Sequence, residues 1–147
     1  MNVRCCPGLV VLAMLGLSLG GCSMLGGSEE IAPAAGLGCV DDSSHCVAQR
    51  SGVLRGMMAD PQRRWVREPA SPAAYASGVR LWAFKQKKRE LSCDDLAVGQ
   101  REAEVAPGVL RGPGGAGLTP AQVSRALILA EEVGRELSNE RRRRCRT

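Results

Sequence analysis

The sequence is poor in the residue types that metal sites, hydrolases and β-sheet folds lean on. It has a single histidine, His45, in 147 residues, so a site built from several histidines cannot form within one chain. Aromatic residues make up 3% and comprise Trp65, Tyr75, Trp82 and Phe84, all within one stretch of twenty residues. A sandwich or barrel needs aromatic and β-branched residues spread over many strands, which counts against an all-β fold. None of the seven cysteines forms a C-x-x-C pair, which counts against a zinc site and a thioredoxin-like redox motif. The apolar run at 8–19 has twelve residues, short of the roughly 20 that span a bilayer. At this length one domain is expected.

What is present begins with that run. Arg4 gives a positive n-region, and twelve apolar residues suit the h-region of a secretory signal. It ends in Leu19-Gly20-Gly21-Cys22, an aliphatic residue, two small ones and a cysteine. This resembles the lipobox of bacterial lipoprotein precursors. The resemblance implies cleavage between Gly21 and Cys22, a diacylglycerol on the Cys22 thiol, and often an acyl chain such as palmitate on its amine. Ser23 after the lipidated position resembles the default for outer-membrane sorting, facing the periplasm. The expected organisation is a signal peptide at 1–21, a lipidated Cys22 with a Gly-, Ala- and Ser-rich tether to 38, and a folded domain at 39–147.

Cys5, Cys6 and Arg4 leave with the signal, so the formal +5 of the whole chain becomes +4. Apart from Cys22, the mature chain keeps Cys39, Cys46, Cys93 and Cys145. An even number of thiols in an exported chain reads as disulfides rather than metal ligands. Cys39–Cys46 with Cys93–Cys145 looks the least useful of the three connectivities because its first loop is so short. The other two remain open.

The pattern predicts an all-α fold, a small bundle of four main helices plus a short one, tied by two disulfides. Asp41, Asp42, Ser43 and Ser44 supply N-cap chemistry for a helix to about Ala59, with Cys46, Val53, Leu54 and Met57 on one stripe. Arg50 falls inside that stripe, as a snorkelling stem or a partly buried ion pair with an Asp near a helix end. Asp60-Pro61 reads as cap and N1 of the short helix carrying Arg63, Arg64, Trp65 and Arg67. Ser71-Pro72 opens a helix to about Leu91 that is apolar on two sides, which favours core over an exposed binding face for its aromatics. Ser92 caps a helix from Cys93 to about Val105, ended by Pro107, and residues 106–118 read as a Gly-rich loop. Thr119-Pro120-Ala121-Gln122 is a capping box for the clearest helix, to about Arg144. If neighbouring helices run antiparallel, all four cysteines gather at one end of the bundle.

Catalytic chemistry finds little footing. His45 sits in a capping turn beside a cysteine expected to be oxidised, and Asp41/Asp42 and Asp94/Asp95 are explained as helix starts. The GPGGAG segment lacks the Lys-Ser/Thr of a P-loop. No catalytic residue, metal or cofactor is expected. Two basic clusters stand out: Lys85, Lys87, Lys88 and Arg89, then Arg141, Arg142, Arg143 and Arg144 with Arg146. A solvated face explains such runs, and so does an anionic ligand, since guanidinium forks fit phosphate and carboxylate. An envelope location leaves no nucleic-acid partner and offers lipid headgroups, lipopolysaccharide and peptidoglycan. The expected function is a non-enzymatic, membrane-anchored envelope lipoprotein binding a protein or anionic polymer. The alternatives are a pilotin-like assembly factor or a peptidoglycan-acting enzyme or activator.

Overall fold

The computed structural model describes residues 39–145. The expected signal, Cys22, the tether and Arg146 lie outside the described residues. Within them the chain folds into six helices and no strand: α1 (Ser44–Ala59), α2 (Arg64–Arg67), α3 (Pro72–Ser77), α4 (Val79–Lys87), α5 (Cys93–Arg111) and α6 (Pro120–Arg144). Local chemistry explains most of the starts. The Ser43, Ser71, Ser92 and Thr119 side chains each accept from a backbone N–H in the first turn of their helix. Thr119 and Gln122 form the expected reciprocal capping box, and Ser92 forms a second one with Asp95.

Three boundaries differ from expectation. The helix expected from Pro72 to Leu91 is broken at Gly78, whose φ of 70° is left-handed and whose missing Cβ leaves room for Leu129 of α6. Pro107 does not end α5, which runs on to Arg111. Loss of one N–H donor there costs about 3 kcal/mol, and burial of Ala106 and Leu110 on the same helix offsets it. The supposed loop therefore shrinks to a short connection with a 3₁₀ turn at Pro113–Gly115, packed so closely that a Cβ on Gly115 would strike the Leu110 carbonyl. Asp60 does not start a helix at Pro61 either. It ends α1 and accepts from the Gln62 and Arg64 amides through its carboxylate, forming an Asx-type turn.

The four cysteines form two disulfides as expected, but their connectivity and placement need correction. Cys39 pairs with Cys46 and Cys93 with Cys145, at Cα separations of 5.2 and 5.8 Å. This is the connectivity that loop length disfavoured, and the two pairs lie at opposite ends of the bundle. At the upper end Arg125, near the start of α6, binds the Val40 carbonyl at 2.9 Å and the Asp42 carboxylate at 2.8 Å. At the lower end Arg144 binds the carbonyls of Arg89 and Leu91 at 2.9 and 3.1 Å, beside Cys145. About 30 Å of helix separates the two arginines.

The antiparallel rule fails at one link only. α4, α5 and α6 place Lys88, Cys93 and Cys145 at the lower end as expected, but α1 starts at the upper end and runs down. Residues 60–71 then climb back beside α5 as a mostly non-helical strap. Arg63 pairs with Asp95 at 3.3 Å near the lower end, and Pro72 meets Gly114 near the top. A connection that itself traverses the bundle makes α1 and α4 parallel.

The strap is held by groups that patterning does not reveal. Arg80 of α4 is 4% exposed. Its guanidinium donates to the Trp65, Val66 and Glu68 carbonyls and forks onto the Glu102 carboxylate of α5. Trp65 donates its indole N–H to the Met57 carbonyl at 3.1 Å and meets Phe84 edge to face at 4.8 Å. Three of the four aromatics are thus core, whereas Trp82 is 37% exposed. Arg50 takes the ion-pair option: it binds the Cys39 and Asp41 carbonyls and lies 3.6 Å from Asp42.

Candidate functional site

The fold brings the two basic clusters together. α4 and α6 run parallel, and their last turns meet where Arg144 reaches the α4 terminus. Proximity does not make all eight cations available. Lys85 binds Glu132 at 2.6 Å and Glu136 at 3.3 Å, Lys88 binds Glu136, and Lys87 binds Glu90 at 2.8 Å. All three lysines of the chain are therefore neutralised, two of them in a lattice that fastens α4 to α6. The hydrogen bond from Lys88 holds the Glu136 carboxyl below its ordinary pKa, and the bond to Glu132 holds Lys85 above its own. Arg143 and Arg144 both engage the buried carboxylate of Glu140.

Arg89, Arg141 and Arg142 remain, all exposed and without a carboxylate partner among the described residues. Arg89 stands on the α4–α5 turn. Arg141 donates to the Gln100 side-chain oxygen at 3.3 Å, and Arg142 donates to Ser138 Oγ at 3.1 Å and to the Asn139 side-chain oxygen. Neutral acceptors orient a guanidinium without cancelling its charge, which leaves it able to take an anion.

Arg141 and Arg142 border a hollow of about 290 Å³ with Gln100, Ser138 and Cys145. A longer groove of about 490 Å³ between α5 and α6 shares Gln100, Ser138 and Arg142 with it. Its floor is built from Ala103, Ala130, Pro107 and Gly134, small residues that leave a furrow where two helices cross. Nothing in the sequence pattern marks a furrow that stays open above Ala103 and Gly134.

A second depression of about 240 Å³ lies between α1, the α3–α4 junction and α6, walled by Val47, Leu54, Trp82 and Leu129. Lys85 covers one face of Trp82, its Nζ 4.9 Å from the ring centre. His45 is exposed on the first turn of α1. Among the described residues no three His, Cys, Asp or Glu side chains converge as metal ligands, and no helix is long and apolar enough to cross a membrane. Comparison with protein families, curated proteins and solved structures finds no match to this chain.

Proposed function

We propose that this chain is a non-enzymatic envelope lipoprotein, anchored through Cys22 to the outer membrane and facing the periplasm, that binds an anionic envelope component with its arginine-rich pole. The observation that carries the reading is the polarity of the bundle. Cys39, where the tether of residues 23–38 joins the domain, lies at the upper end with Val40 and Arg125, while Arg89, Arg141 and Arg142 lie at the lower end. A domain attached to lipid at one end and cationic about 30 Å away suits a bridge from the membrane to a second surface. Disulfides suit an oxidising compartment outside the cytoplasm. The test is labelling with radioactive palmitate in a Gram-negative host, followed by membrane fractionation and sedimentation with isolated cell-wall sacculi. Label and outer-membrane recovery are expected for the wild type and lost in Cys22→Ser. Sedimentation is expected to fall in Arg141→Gln/Arg142→Gln and at high salt.

The pilotin-like reading has one observation in its favour. The depression walled by Val47, Leu54, Trp82 and Leu129 offers partly exposed apolar surface to an amphipathic helix of an outer-membrane assembly. Trp82→Ala would then abolish co-purification of that partner and leave sacculus binding intact.

A further inference from the structure

The α5–α6 groove carries charges of both signs in a fixed order. Arg142 stands at its lower end and Arg141 borders the hollow that adjoins it there; Gln100, Ser138 and Asn139 orient the two. One helical turn up α5 stands Glu104, exposed and with no cationic partner among the described residues. Its carboxylate accepts from the Gln100 side-chain amide at 2.8 Å, so one glutamine links cation to carboxylate along the wall. Across the furrow lies Glu131, whose partner Arg135 is held at 3.0 Å with both side chains largely exposed. Above an apolar floor the groove therefore runs from cationic Arg142, with Arg141 beside it, to the unpaired carboxylate of Glu104, which faces the self-neutralised Glu131–Arg135 pair.

We propose that this groove binds a zwitterionic peptide segment, with a free carboxylate forked by Arg141 and Arg142 and an amine placed against Glu104. Guanidinium pairs match a carboxylate geometrically. Glu104, which no cation neutralises, selects against a polyanion, because like charges brought together in a groove cost binding energy. Phosphate-rich glycolipid is disfavoured for that reason. The groove proposal stands on its own geometry; naming its natural ligand as a cell-wall peptide stem, which carries carboxylates and amines together, rests on the envelope reading above.

The test is calorimetric titration of the purified full chain with N-acetylated Ala-Glu-Lys-Ala bearing a free C-terminal carboxylate. Amidation of that carboxylate, or acetylation of the lysine amine, is expected to weaken binding about tenfold or more, as the loss of a charge-assisted bond requires. Arg141→Gln/Arg142→Gln and Glu104→Gln are expected to do the same without changing the thermal melt, since all three side chains are exposed. Absence of binding by the parent peptide, or equal binding of its blocked forms, overturns the proposal. So does displacement by inorganic phosphate or lipopolysaccharide with affinity unchanged in Glu104→Gln, which marks a plain anion site. Cys22→Ser is expected to bind the peptide as the wild type does, so failure of anchoring and failure of the groove give separate results.

Discussion

The Arg80 guanidinium and the Glu102 carboxylate meet side on, Nε to Oε2 at 2.7 Å and Nη2 to Oε1 at 2.5 Å, with side-chain exposures of only 5% and 12%. The pair does more than join α4 to α5. Arg80 also binds the Trp65, Val66 and Glu68 carbonyls, which the single turn of α2 cannot satisfy. Removing either partner strands a buried charge, so Arg80→Ala and Glu102→Ala are each expected to cost about 3–5 kcal/mol. Chemical denaturation of both single variants and the double variant measures this. A cost below about 1 kcal/mol for Arg80→Ala would show that the strap does not depend on the clamp.

Two glycine replacements are expected to have opposite signs. A Cβ on Gly99 would lie 2.5 Å from Phe84 Cδ1 and 2.9 Å from Leu137 Cδ1, forcing α5 away from its neighbours. Overpacking of this kind costs about 1–3 kcal/mol, more than the gain in helix propensity. Gly56, on the exposed face of α1, has nothing within 4 Å. Gly56→Ala is expected to stabilise by about 0.5–1 kcal/mol. Thermal melts of the two variants check the contrast, and a stabilised Gly99→Ala would contradict the packing of α5 on α6.

The two cysteine pairs are expected to differ in worth. Cys93–Cys145 closes a sequence separation of 52 residues and Cys39–Cys46 one of only 7. The chain-entropy model gives about 4 kcal/mol for the first and about 2 kcal/mol for the second. Cys93→Ser/Cys145→Ser should therefore lower the denaturation midpoint more than Cys39→Ser/Cys46→Ser. The reverse order would mean that the short pair's main role is to seat Val40 and Asp42 against α6.

Acid should loosen the α4–α6 contact in a definable window. The hydrogen bond from Lys88 is the main reason Glu136 ionises below the ordinary glutamate value, against a smaller opposing push from burial. A carboxyl with a depressed folded pKa stabilises the fold above its unfolded pKa, and that contribution is lost as pH falls through the folded value. Stability measured from neutral pH downward should fall below the ordinary glutamate range, and Glu136→Gln should flatten that part of the curve. Identical acid limbs for variant and wild type would contradict the assignment.

How far residues alone specify this molecule varies with the range of the interaction. Short-range signals served well: Ser43 starts α1, the Thr119–Gln122 box starts α6, and Asp94 and Asp95 open α5. Gly and Pro did not mark helix ends reliably where tertiary packing decides them. Gly78 breaks a helix because Leu129 occupies the space of its Cβ, while Pro107 breaks none because Ala106 and Leu110 are buried around it. Topology was lost at residues 60–71, whose ascent depends on Arg80, a charged residue whose burial no periodicity shows. The candidate site was half legible. The basic clusters were visible as runs, yet which cations escape pairing depends on Glu132, Glu136 and Glu140 of α6 and could be known only after folding.

The most direct measurement is crosslinking in living cells from two positions at opposite ends of the domain. A photo-crosslinking residue at Asn139, beside Arg142, is expected to capture cell-wall material that sediments with sacculi and is released by wall hydrolase. The same residue at Gln49, on the first turns of α1 near the Cys39–Cys46 pair, is expected to capture none. Wall capture from Gln49 but not from Asn139, or capture of lipid alone from Asn139, would contradict a basic pole presented away from the membrane.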